Sequence, residues 1–374
     1  MKLISYLLCC AMWFVACNSK PVITEVLVDC PRDTGAIPFT SFEDLTSPKF
    51  ESLRARFHPD TVFHNEQDEF KRILLLRSWI SGIIKISDFE PDYPGQEYAD
   101  RILEAALKGQ GFHCGHYMIV QNAVMNAYGY VTRCIGAGAG VKNGEDGHHG
   151  ANEIWSNTFN KWFLSDAKYD HHFEKDGIPL SALEVREEYL KNKGKDVQMV
   201  KGSSRNVIGA DSLKDEAGKW KHVNKEAFMQ TFTWIAWEAS NDRFVHWPDN
   251  GDALANLLIY KDEYSDKNTW IWDGKPHWAY AAKRFTPIAD KNAIEWHPNN
   301  VLVHATFVKD KAAIRLRSRM PNLKTFQMKN AEDGSWQNIG DSVVLTYTGQ
   351  PEKIFFRPVN LAGVTGKECS ITLR

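Results

Sequence analysis

Cys114 stands in the run Gly109-Gln110-Gly111-Phe112-His113-Cys114-Gly115-His116-Tyr117, directly ahead of a stretch, Met118–Tyr128, that stops at Gly129. Tyr117, Val120, Val124 and Ala127 keep a helical spacing there. A thiol attacks a carbonyl carbon only as thiolate, so a nucleophilic cysteine needs surroundings that lower its pKa. The start of a helix supplies them: its dipole favours negative charge and its exposed N–H groups can hold an oxyanion. A base must take the thiol proton and return it to the leaving amine, a task suited to imidazole, and a carboxylate must orient that imidazole. His149 opens one strand-like segment, Ala151–Trp155, and Asp166 closes a second, Trp162–Asp166, with Ser156–Lys161 as the hairpin connection. Across an antiparallel pair the start of one strand faces the end of the other. Cys114, His149 and Asp166 are therefore the expected nucleophile, base and orienting group, a set whose chemistry calls for no cofactor.

Other residues compete for these roles. His148 is the alternative base and Asp170 the weaker alternative carboxylate. Gln110 is a candidate second oxyanion donor. His113, His116, His148, His149, His171 and His172 with Cys114 could furnish a zinc site, but no pair has a recognised zinc-site spacing. Cys134, in an apolar strand, reads as a buried core cysteine.

The elements that must position these side chains follow from periodicity. A helix is expected over Asp68–Ile86, with Phe70, Ile73, Leu74, Arg77 and Ile80 on one face and Asn65 as its cap. Ser87–Gly95 reads as a loop, and Tyr98–Lys108 as a short helix closed by Gly109. A strand is expected over Val131–Ile135 and a glycine-rich loop over Gly136–Gly147. Glu226–Glu238 is expected as a helix within a Trp-rich stretch. Val301–Phe307, Ala313–Leu316, Lys324–Met328, Ser342–Tyr347, Lys353–Arg357 and Cys369–Leu373 read as short strands between turns, the pattern of an immunoglobulin- or fibronectin-like sandwich.

The chain resembles the transglutaminase-like superfamily in three motifs, in order, over roughly Arg72 to Tyr189. Gly111-Phe112-His113-Cys114 with Tyr117 matches the cysteine motif, followed by a helix, a turn and Arg133 in the next strand. His149-Gly150-Ala151-Asn152-Glu153-Ile154-Trp155 matches the histidine strand, and Trp162-Phe163-Leu164-Ser165-Asp166 the aspartate strand. The resemblance implies an α+β, papain-like core with the cysteine on a helix packed against an antiparallel sheet. Ala151 stands where that family has tryptophan and Ala167 where it has proline, so the family's known substrates are no guide.

The whole chain has 374 residues, 43% hydrophobic and 25% charged, enough for two or three domains. Lys+Arg 45 against Asp+Glu 47 leaves no electrostatic footprint for nucleic acid. Lys2 and the apolar Leu3–Val15 form a targeting segment too short to cross a bilayer, which takes roughly 20 residues. Phe14-Val15-Ala16-Cys17 resembles a bacterial lipoprotein cleavage site, with Cys17 as the lipidated residue. The four mature cysteines permit three full pairings, among which the sequence does not choose; if Cys114 is free, Cys30 with Cys369 is the one pairing left to consider.

The expected division is a signal peptide (1–17), a linker (18–47), a catalytic domain (48–195), its Trp-rich extension (196–286) and a β-sandwich (287–374). The expected function is a lipid-anchored envelope enzyme, periplasmic or at the cell surface. It would be a cysteine protease or amidase acting through a thioester on peptide, peptidoglycan or glycopeptide, with transfer to an amine as its other outcome. The alternative is a catalytically silent lipoprotein that binds glycan or peptide, its tryptophans forming the surface.

Overall fold

The computed structural model describes residues 20–31, 37–87, 98–138, 148–209, 225–246, 257–268, 271–272, 275–276 and 285–374. The targeting segment with Cys17, residues 88–95 and 139–147 of the two expected loops, and Trp220, Trp247, Trp270 and Trp278 lie outside them.

The elements run β1 (Val26–Asp29), α1 (Pro48–Phe57), α2 (Glu69–Ile83), β2 (Lys85–Ile86), α3 (Ala99–Leu107), β3 (Gly111–Phe112), α4 (Cys114–Ala127), β4 (Thr132–Gly138), β5 (His148–Ser156), β6 (Lys161–Ser165), β7 (His171–Lys175), β8 (Ile178–Pro179) and α5 (Ala182–Asn192). They continue with β9 (Gln198–Lys201), β10 (Asn206–Ile208), α6 (Lys225–Thr231), β11 (Trp234–Glu238), β12 (Leu257–Tyr260), α7 (Glu263–Lys267), β13 (Ile271–Trp272), β14 (Lys275–Pro276), β15 (Phe285–Ile288) and α8 (Lys291–Ile294). The last third holds β16 (Val301–Val308), β17 (Lys311–Ser318), β18 (Leu323–Lys329), β19 (Gln337–Ile339), β20 (Ser342–Thr346), β21 (Glu352–Asn360) and β22 (Cys369–Leu373). The fold is α+β.

Helix α4 is the axis of the first unit. Val120, Gln121, Asn122, Ala123, Val124, Met125 and Asn126 are all buried, so the helix is covered on every side. The amide nitrogens of its buried Gln and Asn side chains all donate hydrogen bonds, as buried donors generally do. Gln121 Nε2 donates to Ser165 Oγ at 2.7 Å, Asn122 Nδ2 to the Asn241 carbonyl at 2.8 Å, and Asn126 Nδ2 to the Asn122 carbonyl at 2.8 Å. Against α4 lie α1, α2, α3 and a six-stranded sheet ordered β15-β12-β11-β4-β5-β6. All its pairs are antiparallel except β12 with β15. A smaller sheet, β10-β9-β7-β8, adjoins β6.

Helix α2 buries Phe70, Ile73, Leu74, Arg77 and Ile80, the expected face. Its cap is Asp68, not Asn65. The Asp68 carboxylate accepts the Lys71 N–H at 2.7 Å, whereas Asn65 sits in a left-handed turn with φ of 71°. The expected helix Glu226–Glu238 divides: α6 ends at Thr231, and Trp234–Glu238 forms β11. Its aromatic and β-branched residues satisfy their backbone groups between β4 and β12. Trp234 and Trp237 are thereby buried in the core. Gly136 to Gly138 continue β4, because pairing with β5 and β11 on both edges overrides the weak strand preference of glycine.

All six C-terminal strands form. They fall in two sheets, β1-β22-β21-β18-β19 and β16-β17-β20, around one core that includes Ile314, Leu316, Phe326, Ile354, Phe356 and Ile371. Residues 18–47, expected as a linker, supply β1, which pairs antiparallel with β22. A disulfide joins Cys30 to Cys369 with Cα atoms 4.9 Å apart. The first unit extends past residue 286, since Trp296 packs on Trp162 and its carbonyl accepts the Trp162 indole N–H at 2.7 Å.

The two units meet at the end of α4. Gly129 has φ of 80°, its carbonyl accepts Asn360 Nδ2 at 2.8 Å, and a Cβ there would stand 2.6 Å from Ala362 Cβ. Gly129→Val is therefore expected to cost roughly 2 kcal/mol or more, from left-handed strain and overlap. Gly136→Ala, where a Cβ meets nothing within 4 Å, is expected to stay within about 0.5 kcal/mol of wild type. Denaturant unfolding of the two variants checks both values.

Candidate active site

Cys114 is the first residue of α4 and His113 its N-cap, with extended backbone at φ −91° and ψ 179°. His113 Nδ1 accepts the Gly115 N–H at 3.1 Å, and the His116 and Tyr117 N–H groups go to the His113 carbonyl. That leaves the Cys114 N–H as the first-turn amide with no acceptor among the described residues. Gly150 of β5 lies directly against this helix start. A Cβ there would stand 3.5 Å from Gly115 Cα and Met118 Sδ, ordinary van der Waals contact, so strand and helix start are packed closely together.

Strand register brings the imidazole and carboxylate together. Asn152 pairs with Ser165, so one further step sets Asp166 opposite Ala151, diagonal to His149 on the same face. His149 Nε2 lies 2.7 Å from Asp166 Oδ2, and both side chains are buried, at 7% and 1% exposure. With Nε2 engaged, Nδ1 is the ring nitrogen left for the thiol. Ala151 continues a row across the sheet from Trp237 and Ile135. The indole in this row thus comes from β11, and its N–H donates to Glu153 Oε2 at 2.6 Å. Glu153 also holds Arg133 across the β4–β5 pair at 2.6 Å.

The carboxylate is locked by its own turn. Asp166 Oδ1 accepts the Lys168 N–H at 2.8 Å and the Tyr169 N–H at 3.3 Å, while Asp166 and His171 exchange both backbone hydrogen bonds. Asp170, at φ 52°, turns away from His149. It takes Arg77 Nε at 2.9 Å and the Ser78 hydroxyl. The adjacent histidines diverge. His172 sits between Arg77 and Glu174, at 3.1 and 2.7 Å, and His171 Nδ1 stands 3.7 Å from Asp166 Oδ2. Burial lowers the His171 pKa to about 3, so that ring is neutral and adds no charge beside the carboxylate.

The electrostatics favour an ion pair. Burial alone pushes the Cys114 thiol up, but hydrogen bonds from His113, His149 and the Gly150 amide and the His149 charge hold it well below the ordinary thiol range. Burial opposes charge on His149, yet Asp166, with help from Cys114, raises it to about 9. Burial likewise opposes charge on Asp166, and the His149 charge and hydrogen bond bring it down to about 2. Thiolate, imidazolium and carboxylate therefore coexist at neutral pH.

Of the other sequence candidates, Gln110 donates its amide to the Gly111 carbonyl at 3.2 Å, and no hydrogen bond joins it to Cys114 among the described residues. His148 is exposed, and Cys134 is buried with its thiol raised by desolvation. Among the described residues no three His, Cys, Asp or Glu side chains gather where they could hold a metal ion. Sequence reasoning missed His113 as cap and thiol partner. It also missed Phe228 and Phe232, whose rings wall the His149 imidazole at 5.2 and 6.4 Å. The latter carried a signal, two phenylalanines four apart, that the tryptophans around them masked.

No family model matches the chain, and no curated protein sequence matches it.

The pH behaviour follows in sign. Cys114 should alkylate with iodoacetamide at its plateau rate well below the pH at which an ordinary thiol ionises. Asp166→Asn removes the group that raises His149, so the imidazolium is lost at lower pH and the thiol pKa rises. The alkylation profile should then shift upward by about one pH unit or more. Mass spectrometry of Cys114 across pH 4–9 reads both curves, and coincident profiles would remove the ion pair.

Proposed function

We propose that this chain is an exported cysteine hydrolase that cleaves amide bonds through a Cys114 thioester. In this reading a transglutaminase-like, papain-like core carries an immunoglobulin-like sandwich, and a lipid on Cys17 tethers the protein in the bacterial cell envelope. The observation that carries the reading is the 2.7 Å His149–Asp166 pair set beside a thiol at a helix N-terminus. The Cys30–Cys369 disulfide supports export, since such bonds persist in oxidising compartments.

In the first step the thiolate attacks the amide carbonyl. A C–S bond forms, and the carbonyl oxygen takes the negative charge near the Cys114 N–H. His149 then gives its proton to the nitrogen, the C–N bond breaks, and the amine leaves. Water, giving its proton to His149, attacks the thioester; the acid leaves and the thiol is restored. Transfer to an amine would follow the same course with the amine in place of water. Peptide, peptidoglycan stem or glycopeptide is the substrate class this location offers. The tryptophans of the alternative binding reading are partly spoken for, because Trp234 and Trp237 are in the core.

Intact protein incubated with peptide and muropeptide pools should release new amine and carboxylate ends, with Cys114→Ala inactive. His149→Ala should lower kcat by about 10²–10⁴-fold. Identical product profiles for wild type and Cys114→Ala would refute the assignment.

A further inference from the structure

A polar cavity of about 510 Å³ lies at the opposite end of α4 from Cys114, between the helical layer and the turn that joins β21 to β22. Helix α4 has 14 residues, so the cavity and the thiol are about 20 Å apart at about 1.5 Å per residue. Arg54 and Arg72 line one wall, Leu361–Lys367 the other, and Tyr130 stands between them.

Three cations, Arg54, Arg72 and Lys367, face a single lining carboxylate, Glu69. That carboxylate is already occupied. It accepts the N–H groups of Asn157 and Thr158, the Asn157 side-chain amide, and the hydroxyls of Ser156 and Thr158. Arg54 gives one N–H to the Ala127 carbonyl at 2.7 Å, at the C-terminal end of α4. Arg72 is held in place by the Phe63 ring, 4.2 Å from its guanidinium carbon, and its Nε is buried with no acceptor among the described residues. Tyr130 is only 3% exposed, and its hydroxyl bonds to no described residue. Burial pushes its pKa up to about 12, so it remains a donor at neutral pH.

Arg72 Nε is an unpaired buried donor, which costs stability, and the lining beside it carries surplus positive charge and the Tyr130 hydroxyl. The complement is an anion. The rest of the lining, including Gln67 and Thr158, is polar rather than apolar, which suits hydroxyl groups. The volume falls in the range of small-molecule sites, roughly 300–1,000 Å³. We infer that this cavity binds a small acidic sugar, its oxyanion on Arg72 and Lys367 and a ring hydroxyl on Tyr130. The oxyanion is a carboxylate or a phosphate, two sources of one chemistry. The site is separate from the thiol and does not depend on the hydrolase reading.

Calorimetric titration of the intact protein with glucuronate and with glucose 6-phosphate tests this, with glucose as the neutral control. At least one acid should bind with a Kd of about 10 mM or tighter, and glucose about tenfold more weakly. The tighter acid identifies the oxyanion. Lys367→Glu, at an exposed position with little bearing on folding, should weaken binding about tenfold, and Tyr130→Phe about fivefold. Arg72→Gln should abolish it, and Cys114→Ala should leave it unchanged. The site is overturned if neither acid binds at about 10 mM, if glucose binds as well as the acids, or if Lys367→Glu binds like wild type.

Discussion

A carboxylate at 1% exposure keeps its charge only where partners surround it, and the first unit is arranged around that requirement at Asp166. Two amides of its own turn hold one oxygen and His149 holds the other. The turn closes because Asp170 adopts a left-handed backbone, and Asp170 is in turn fixed by the buried Arg77 of α2. Arg77 reaches His172, His172 reaches Glu174, and Arg205 grips Glu174 at 2.7 and 2.8 Å. The Asp166 carboxylate is thus the inner end of a polar network that ties α2 to the small sheet. Removing Arg77 would leave the Asp170 carboxylate without its ion-pair partner, which costs far more than an exposed pair contributes.

The helix that begins at Cys114 is constrained from the other direction. Being covered all round, α4 gains most of its stability from packing, and its amide side chains fix its rotation against β6 and the segment after β11. Its start is pressed on Gly150 and its end on the sandwich through Gly129. The segment 196–286 is integral to this arrangement. It supplies β11 and β12 to the main sheet, and it supplies the phenylalanines that pack against the imidazole.

Much of the placement of the candidate residues was legible in the sequence. Cys114, His149 and Asp166 each stand at the edge of a local pattern, a helix start or a strand end, and such edges are visible in one dimension. The burial of Phe70, Ile73, Leu74, Arg77 and Ile80 was legible for the same reason. What escaped depends on contacts distant in sequence. Asn65 and Asp68 are both good capping types, and only the left-handed turn at Asn65 separates them. Trp234–Glu238 takes its strand form from β4 and β12 on either side, so a window around it reads wrongly. Residues 26–29 look like loop until β22, at the far end of the chain, provides the partner. Gln110 has its amide hydrogen-bonded to the neighbouring Gly111 carbonyl, an orientation that residue type alone does not reveal.

The Cys30–Cys369 bridge spans 339 positions, so nearly the whole described chain forms a covalent ring. One peptide-bond cleavage within that ring linearises it without releasing a fragment. Tension applied through the N-terminal segment would pass through the bridge into β22 and bypass the first unit, which hangs from the sandwich as a side loop of the load path. A protein built this way can be pulled or nicked in a harsh environment and still keep its thiol, imidazole and carboxylate on one connected molecule.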